Sequence, residues 1–338
     1  MRCFQIIGLF YLCLHTLQAQ RHIPSPLEIL TFIEASPLTY EFEQWFGQFQ
    51  TDKKTYIPFG SQLDTTSSDF ALIAFDSILT EGISERNWAE RALQTEKPPF
   101  EKIKQIYKEQ IQKFPSHSFL KSLLGNCYVQ MNDYENAIPL LDQAIQLNPY
   151  DALAHWQLGL CHLHRQELKK GIDHLVRAHL LNRNHKGIKN ALLTTLAKNQ
   201  QSFNTSWIYE PVCQIHKTRD TVVIQSNGMW LSYGMYKAVW LYEPDYDYIR
   251  RSMNLMDGYI QSELEACIGT FMTYINMKKD DERTFPSMDY IGKCIELEIL
   301  ESFILYEKIL VDTPSLIFML NQETIDTLIQ YLFTIRIK

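Results

Sequence analysis

From residue 118 onward, apolar positions fall three or four apart, the spacing of one face of an α-helix. Leu120, Leu124, Cys127, Tyr128 and Met131 form such a stripe over 118–131. After a polar break at Asn132-Asp133 comes a second stripe of Ala137, Leu140, Leu141, Ala144, Ile145 and Leu147. Asn148-Pro149 closes it, because a residue before proline avoids the helical region. Each stripe needs an apolar partner, so the pattern predicts two helices packed face to face. The pair then returns: Leu124, Gly125, Tyr128, Ala137, Leu141 and Ala144 reappear 34 positions later as Leu158, Gly159, His162, Gly171, Leu175 and Ala178.

That period and those positions resemble the tetratricopeptide repeat, a helix-turn-helix unit with a small residue where its two helices cross. The resemblance covers 118–151 and 152–185. Its second copy departs from the family with His162 for tyrosine, Gly171 for alanine and Arg183 for the closing proline. Upstream, the same register places Asn87 and Trp88 near the start of one helix and Ile103, Tyr107 and Pro115 along a second. This predicts a degenerate copy over 84–117, interrupted by Pro98-Pro99. Three helix pairs meet the minimum for a stacked array, because one repeat cannot bury its own faces. The fold expected is mainly α, a tetratricopeptide-type α-solenoid of stacked helix pairs flanked by further helical regions.

Outside the repeats, residues 20–67 carry four prolines and read as short helices and loops before a firmer helix at 68–82, with Ser67 or Ser68 as its cap. Residues 195–228 break the repeat, and Thr221-Val222-Val223-Ile224 suits a short strand. Met229–Tyr242 is apolar almost all round and predicts a buried helix ending at Pro244. Further helices are expected over 259–277 (Ile260, Leu264, Ile268, Phe271 and Ile275 on one face), over 288–310, and from Asn321. Ten of the 18 tyrosines lie in 229–338, too many aromatics to leave in solvent. The division expected is therefore 1–19, 20–83, a repeat region at 84–194, and a C-terminal helical region at 195–338.

The first residues set an expectation of location. Arg2 is the only charge before Arg21, an apolar stretch runs from Ile6 to Leu14, and Leu17-Gln18-Ala19 ends in a small residue, so 1–19 reads as a signal peptide cleaved near Ala19. An uncleaved anchor or a buried helix is the alternative. No later apolar run reaches the roughly 18 residues of a membrane span. The mature chain is thus expected in the periplasm or secreted, with envelope association left open.

Hydrophobic residues make up 46% and charged residues 21%, a globular balance. With a net charge of −7 and no basic stripe, nucleic acid is excluded as a partner. Cleavage would leave Cys127, Cys161, Cys213, Cys267 and Cys294. The first two share a repeat position and read as packing residues; a bridge among the other three stays open.

Candidate chemistry is sparse. His155, His162, His164, His174, His179 and His185 cluster with Cys161, but His162 and His164 point about 200° apart on a helix and His174 and His179 about 140°, so no metal set is expected. Ser118-x-x-Lys121 opens a repeat helix without companion motifs and reads as a cap. No catalytic, cofactor or metal residue is assigned. What the resemblance implies is a concave surface lined by the first helix of each pair, where a protein or peptide partner lies. The matching positions are Phe119, Ser122, Asn126 and Val129, then Leu153, Trp156, Leu160 and Leu163. Some family members clamp a carboxylate with asparagines and basic residues; Leu160 replaces the second asparagine and no lysine or arginine joins the groove, so no clamp is expected. Two arrangements stay open, a groove free for a partner and a groove covered by the protein's own C-terminal part. So do two functions, an interaction scaffold and a support for a C-terminal helical domain that binds a ligand or does chemistry.

Overall fold

The computed structural model describes residues 23–44, 57–63, 72–206, 208–278 and 285–338. The signal-peptide segment and the expected cap at Ser67 or Ser68 lie outside them. In chain order the first helices are α1 (Pro26–Ala35), a single turn α2 (Phe75–Ile78), α3 (Ile83–Leu93) and α4 (Phe100–Lys113). The central ones are α5 (Ser118–Gln130), α6 (Tyr134–Leu147), α7 (Ala152–His164), α8 (Leu168–Leu181) and α9 (Lys186–Lys198). Then come α10 (Trp230–Tyr242), α11 (Asp245–Ser252), α12 (Leu255–Lys278), α13 (Pro286–Glu296), α14 (Leu300–Ile304) and α15 (Gln322–Tyr331). The strands are β1 (Thr39–Gln44), β2 (Gln62–Leu63), β3 (Leu72–Ile73), β4 (Cys213–Thr218) and β5 (Thr221–Ser226).

The fold is mainly α, and its chain divides into two compact units. One holds 53–205 and 313–338, the other 1–52 and 206–312. This differs from a division at 194/195. The last 26 residues return to the repeat unit through a Phe203–Ile337 bridge and an Arg177–Asp326 ion pair of 2.6 Å, contacts between residues far apart in the chain.

In the repeat unit, α3/α4, α5/α6 and α7/α8 form successive helix pairs. Asp133 and Asp151 cap α6 and α7 by accepting from the amides of Asn136 and Ala154. The crossings are close because the residues there are small. A Cβ on Gly125 would lie 2.6 Å from Leu141 Cδ2, and one on Gly159 would lie 3.1 Å from the Gly171 carbonyl. Gly171 costs about 1 kcal/mol of helix propensity against alanine, and the same contact explains its presence. A Cβ there would meet Leu163 at 2.6 Å and the Gly159 carbonyl at 3.2 Å. Cys127 and Cys161 are buried free thiols, pushed up to about 11 and about 12 by burial first, as expected of packing residues.

The segment before α3 is no helix over 68–82 in its described part. Leu72–Ile73 pairs antiparallel with Gln62–Leu63, and only one turn of α2 follows before Gly82 reverses the chain at φ +72°. Arg86, fully buried on α3, holds this segment. Its guanidinium pairs with Asp76 at 2.9 Å, donates to the Leu79 and Glu81 carbonyls and lies 4.9 Å from the Phe75 ring centre.

In the other unit the expected strand belongs to a three-stranded sheet of order β1-β5-β4, packed with the helices. β4 and β5 form an antiparallel hairpin, and β1 lies parallel to β5, with Thr39 opposite Thr221. Thr221–Ser226 is thus the central strand, with Val222 and Ile224 buried against Ala238 of α10. A Cβ on Gly234 would lie 2.6 Å from both Cys213 Sγ and Ile224 Cγ2. Helix α12 is buried on nearly every side from Ile260 to Phe271, including Glu263 and Glu265, so its polar positions there are no solvent face. The helix expected over 288–310 is broken by Glu298 at φ +57° and continues past Ile304 as a π-helical turn, Leu305–Ile309. Among the described residues no helix is long and apolar enough to cross a membrane, and all five described cysteines are free.

Replacing Gly125 with valine should overpack the α5/α6 crossing and lower stability by about 1–3 kcal/mol. In contrast, Gly258 in α12 has nothing within 4 Å of a Cβ, and Gly258→Ala should stabilise by about 0.5–1 kcal/mol. Thermal melts followed by circular dichroism of both variants check this; equal melting temperatures would contradict the crossing argument.

Candidate functional site

Successive first helices of the pairs present one face each to a common cavity of 740 Å³ in the repeat unit. Helix α5 contributes Phe119, Asn126 and Val129, and α7 contributes Leu153, Trp156 and Leu160, six of the eight positions expected from the sequence. Leu123 on α5, and Glu90, Leu93 and Gln94 around the end of α3, complete that wall. Leu123 is four residues after Phe119, so helical spacing could have found it. Asn126 is partly exposed, and its amide has no hydrogen-bond partner among the described residues.

The other two expected residues face elsewhere. Ser122 is fully buried and donates to Asp151 Oδ2 at 2.7 Å. It therefore ties α5 to the N-terminal cap of α7, a joint between repeats. Leu163 fills the space opposite Gly171.

What sequence spacing could not supply is the opposite wall. Pro58, Phe59, Ala74, Phe75 and Asp76, all upstream of the repeats, line the same cavity. The cover is thus N-terminal in sequence. Phe59 stacks with Trp156 at 6.2 Å between ring centres and lies 4.7 Å from the His185 ring. Its neighbour Gly60 has φ +75°, and a Cβ there would lie 2.6 Å from the Phe119 ring. Only glycine suits both the left-handed backbone and that approach. The carbonyl of Ile57 accepts from the buried Asn182 Nδ2 at 2.7 Å, and Phe75 packs edge-on to Phe119 at 4.7 Å. Residues 57–60 form a hook seated at one end of the groove, leaving the cavity beside it.

Trp156 is the centre of this arrangement. Gly187 at the start of α9 lets the indole lie close, since a Cβ there would be 2.7 Å from Trp156 Cη2. Its Nε1–H is buried and has no acceptor among the described residues. An unmade hydrogen bond of this kind costs about 1–3 kcal/mol. The charged groups of the lining are Asp76 and Glu90; Glu90 is raised above the usual carboxylate range by burial first and then by Asp76. Among the described residues, no lysine or arginine lines the cavity.

Behind the groove, the histidines are less scattered than the expected angles implied. His155 and His162 are seven residues apart, nearly two full turns, so they share a face of α7. His174 of α8 fits between them, its Nδ1 3.0 Å from His155 Nδ1 and its ring 5.3 Å from that of His162. His155 Nε2 lies 3.1 Å from the Pro149 carbonyl, so Nε2 carries the proton, and His174 Nδ1–H must donate to His155 Nδ1. Burial first, then neighbouring cations, lowers His155 to about 3 and His174 to about 4, and burial lowers His179 to about 3. Among the described residues no group of three histidine, cysteine or acidic side chains is placed to hold a metal.

These lowered values fix a sign. The unfolded chain binds protons near the ordinary value of 6.5 and the folded chain does not, so stability is full above that value and falls as pH drops towards 4. Each histidine contributes up to about 1.4 kcal/mol per pH unit. Amide exchange in α7 and α8 should therefore speed up, relative to the intrinsic rate, between pH 7.5 and pH 5. Unchanged protection would show that the imidazoles take up protons in place.

Residues 125–164, from the crossing glycine of α5 to the end of α7, match the family model described as TPR repeat. Among solved structures, the first TPR of Spaghetti (RPAP3) bound to the HSP90 peptide SRMEEVD is 14% identical, covering 36% of this chain and 94% of that one. Its TM-score of 0.32 is too slight a likeness to carry fold or partner. No curated protein matches the chain. With the 34-residue period, the paired helices and the small residues at their crossings, this match shows that the chain contains tetratricopeptide repeats.

Proposed function

We propose that the chain is a non-catalytic interaction protein, exported by residues 1–19 to the periplasm or the extracellular space, whose repeat groove holds an extended segment of a partner protein. The observation that carries this is the cavity itself. It combines an apolar strip with an uncommitted amide at Asn126, the pairing that recognises a peptide backbone beside an apolar side chain. The partner segment is expected to be apolar or aromatic, not an acidic tail, because the charged groups in the lining are carboxylates. Its anchor would compete with Phe59 for the Trp156 face, and a backbone carbonyl would satisfy the indole N–H. Residues that carry catalytic motifs are lacking in the sequence, which supports a scaffold.

A photoreactive residue at position 126 of the mature protein should crosslink one defined partner in the native compartment. Trp156→Ala should abolish that crosslink, and Phe59→Ala, which removes the hook's own anchor, should strengthen it severalfold. Equal crosslinking in all three proteins, or none, would refute the groove as the binding site. Export is checked separately by N-terminal sequencing, with Gln20 expected as the first residue of the mature chain; retention of residues 1–19 would refute the cleaved signal.

A further inference from the structure

The unit formed by 1–52 and 206–312 has a cavity of its own, 650 Å³ in volume, between the sheet, α10, α12 and the π-helical turn. A volume of this size suits a small molecule. At its floor lies Glu263 of α12, 3% exposed. The Glu263 carboxylate accepts from Tyr233 Oη at 2.8 Å and from Lys237 Nζ at 2.7 Å. Lys237 also donates to Ser262 Oγ at 2.7 Å. On the facing wall, Lys308 donates to Asp312 at 2.8 Å.

The lining holds three basic side chains, Lys237, Arg250 and Lys308, against two carboxyl groups, Glu263 and Asp312. Burial pushes Lys308 down, but Glu263 and Asp312 outweigh it and hold the ammonium charged. For Glu263 burial acts upward, and Lys237 and Lys308 outweigh it in the other direction. Lys308 and Glu263 are therefore both ionised at neutral pH. An ammonium has three donors. Lys237 commits two and Lys308 commits one, so one donor of Lys237 and two of Lys308 stay unspent in this cavity. Lys308 also lies in the π-helical turn Leu305–Ile309, a local irregularity that recurs at functional sites. Ile215, Leu241 and Met253 add apolar wall beside Trp240, which is buried, and Tyr259, which is exposed at the rim, and Arg250 and Asn254 add polar groups. Cys213 at the edge is pushed up to about 12 by burial and stays a thiol, so no nucleophilic chemistry is assigned to it.

We propose that this cavity binds a small organic acid, its carboxylate held by the free donors of Lys237 and Lys308 and its apolar body laid against Trp240 and Tyr259. The site is independent of the repeat groove and does not rest on the function proposed for it.

The test is isothermal titration of the full mature chain with octanoate and with octanamide, which share an apolar body and differ in charge. Octanoate should bind saturably at one site, at least tenfold tighter than the amide. Lys308→Met should remove that preference, while Lys169→Met, a surface change in the repeat unit, should leave it intact. No saturable binding of octanoate, or equal affinity for acid and amide, overturns the proposal. If Lys308→Met does not fold by circular dichroism, the acid–amide comparison on the unaltered chain decides the matter alone. Loss of the preference in Lys169→Met would also overturn it, by showing that the charge effect is not local to the cavity.

Discussion

Everything in the repeat unit depends on how closely two helices can approach at Gly125 and at the Gly159–Gly171 pair. Helices packed on larger residues lie about 8–10 Å apart, and a crossing built on glycine removes the side-chain layer that sets that spacing. The backbone of α7 comes within contact of α8, and Leu141 and Leu163 fill the remaining space. Once each pair is closed, its outer face is apolar and needs the next pair, which is why the array stacks. The stacking is fastened by polar joints. Ser122 holds the carboxylate that caps α7, so a buried aspartate is satisfied by the neighbouring repeat and by the helix it begins.

The same stacking aligns the first helices of the pairs and so creates a concave face. That face is shared with the chain itself. Arg86 fastens the segment around Phe75 through carbonyls, a carboxylate and an aromatic ring, and the Gly60 turn brings Phe59 onto Trp156. The result is a groove with one aromatic end filled and one amide-bearing stretch vacant. The buried indole N–H of Trp156 lacks an acceptor among the described residues, so the hook covers the aromatic ring without meeting its polar need.

The unit built from 1–52 and 206–312 follows a different logic. Its central strand is apolar enough to be covered by α10, and α12 is then enclosed so fully that its glutamates cannot reach water. A buried carboxylate is tolerable only with hydrogen bonds and opposite charge. Tyr233 and Lys237 supply these to Glu263. Glu265, bonded to Gln261 and Tyr246 without a cation of its own, is instead raised to about 7 by burial.

The sequence by itself determined the repeat. Its period, its helix limits and the small residues at the crossings follow from spacing along one helix face, which is a local property of the chain, and the family resemblance carried by that spacing pointed to six of the groove residues. It also placed a strand at 221–224, the first four residues of β5, and the opening of the last helix at Asn321, because strand propensity and capping chemistry are local too. It missed Leu123, which the same spacing contained, and it set aside the His155–His162 register by comparing other pairs. Only the tertiary structure decided what opposes each face. Phe59 and Phe75 meet residues far along the chain, β1 gains a partner 182 positions away, and Glu263 is buried because other elements surround α12. Such contacts depend on which distant segment arrives at a surface, and hydrophobic periodicity fixes only that the surface must be covered.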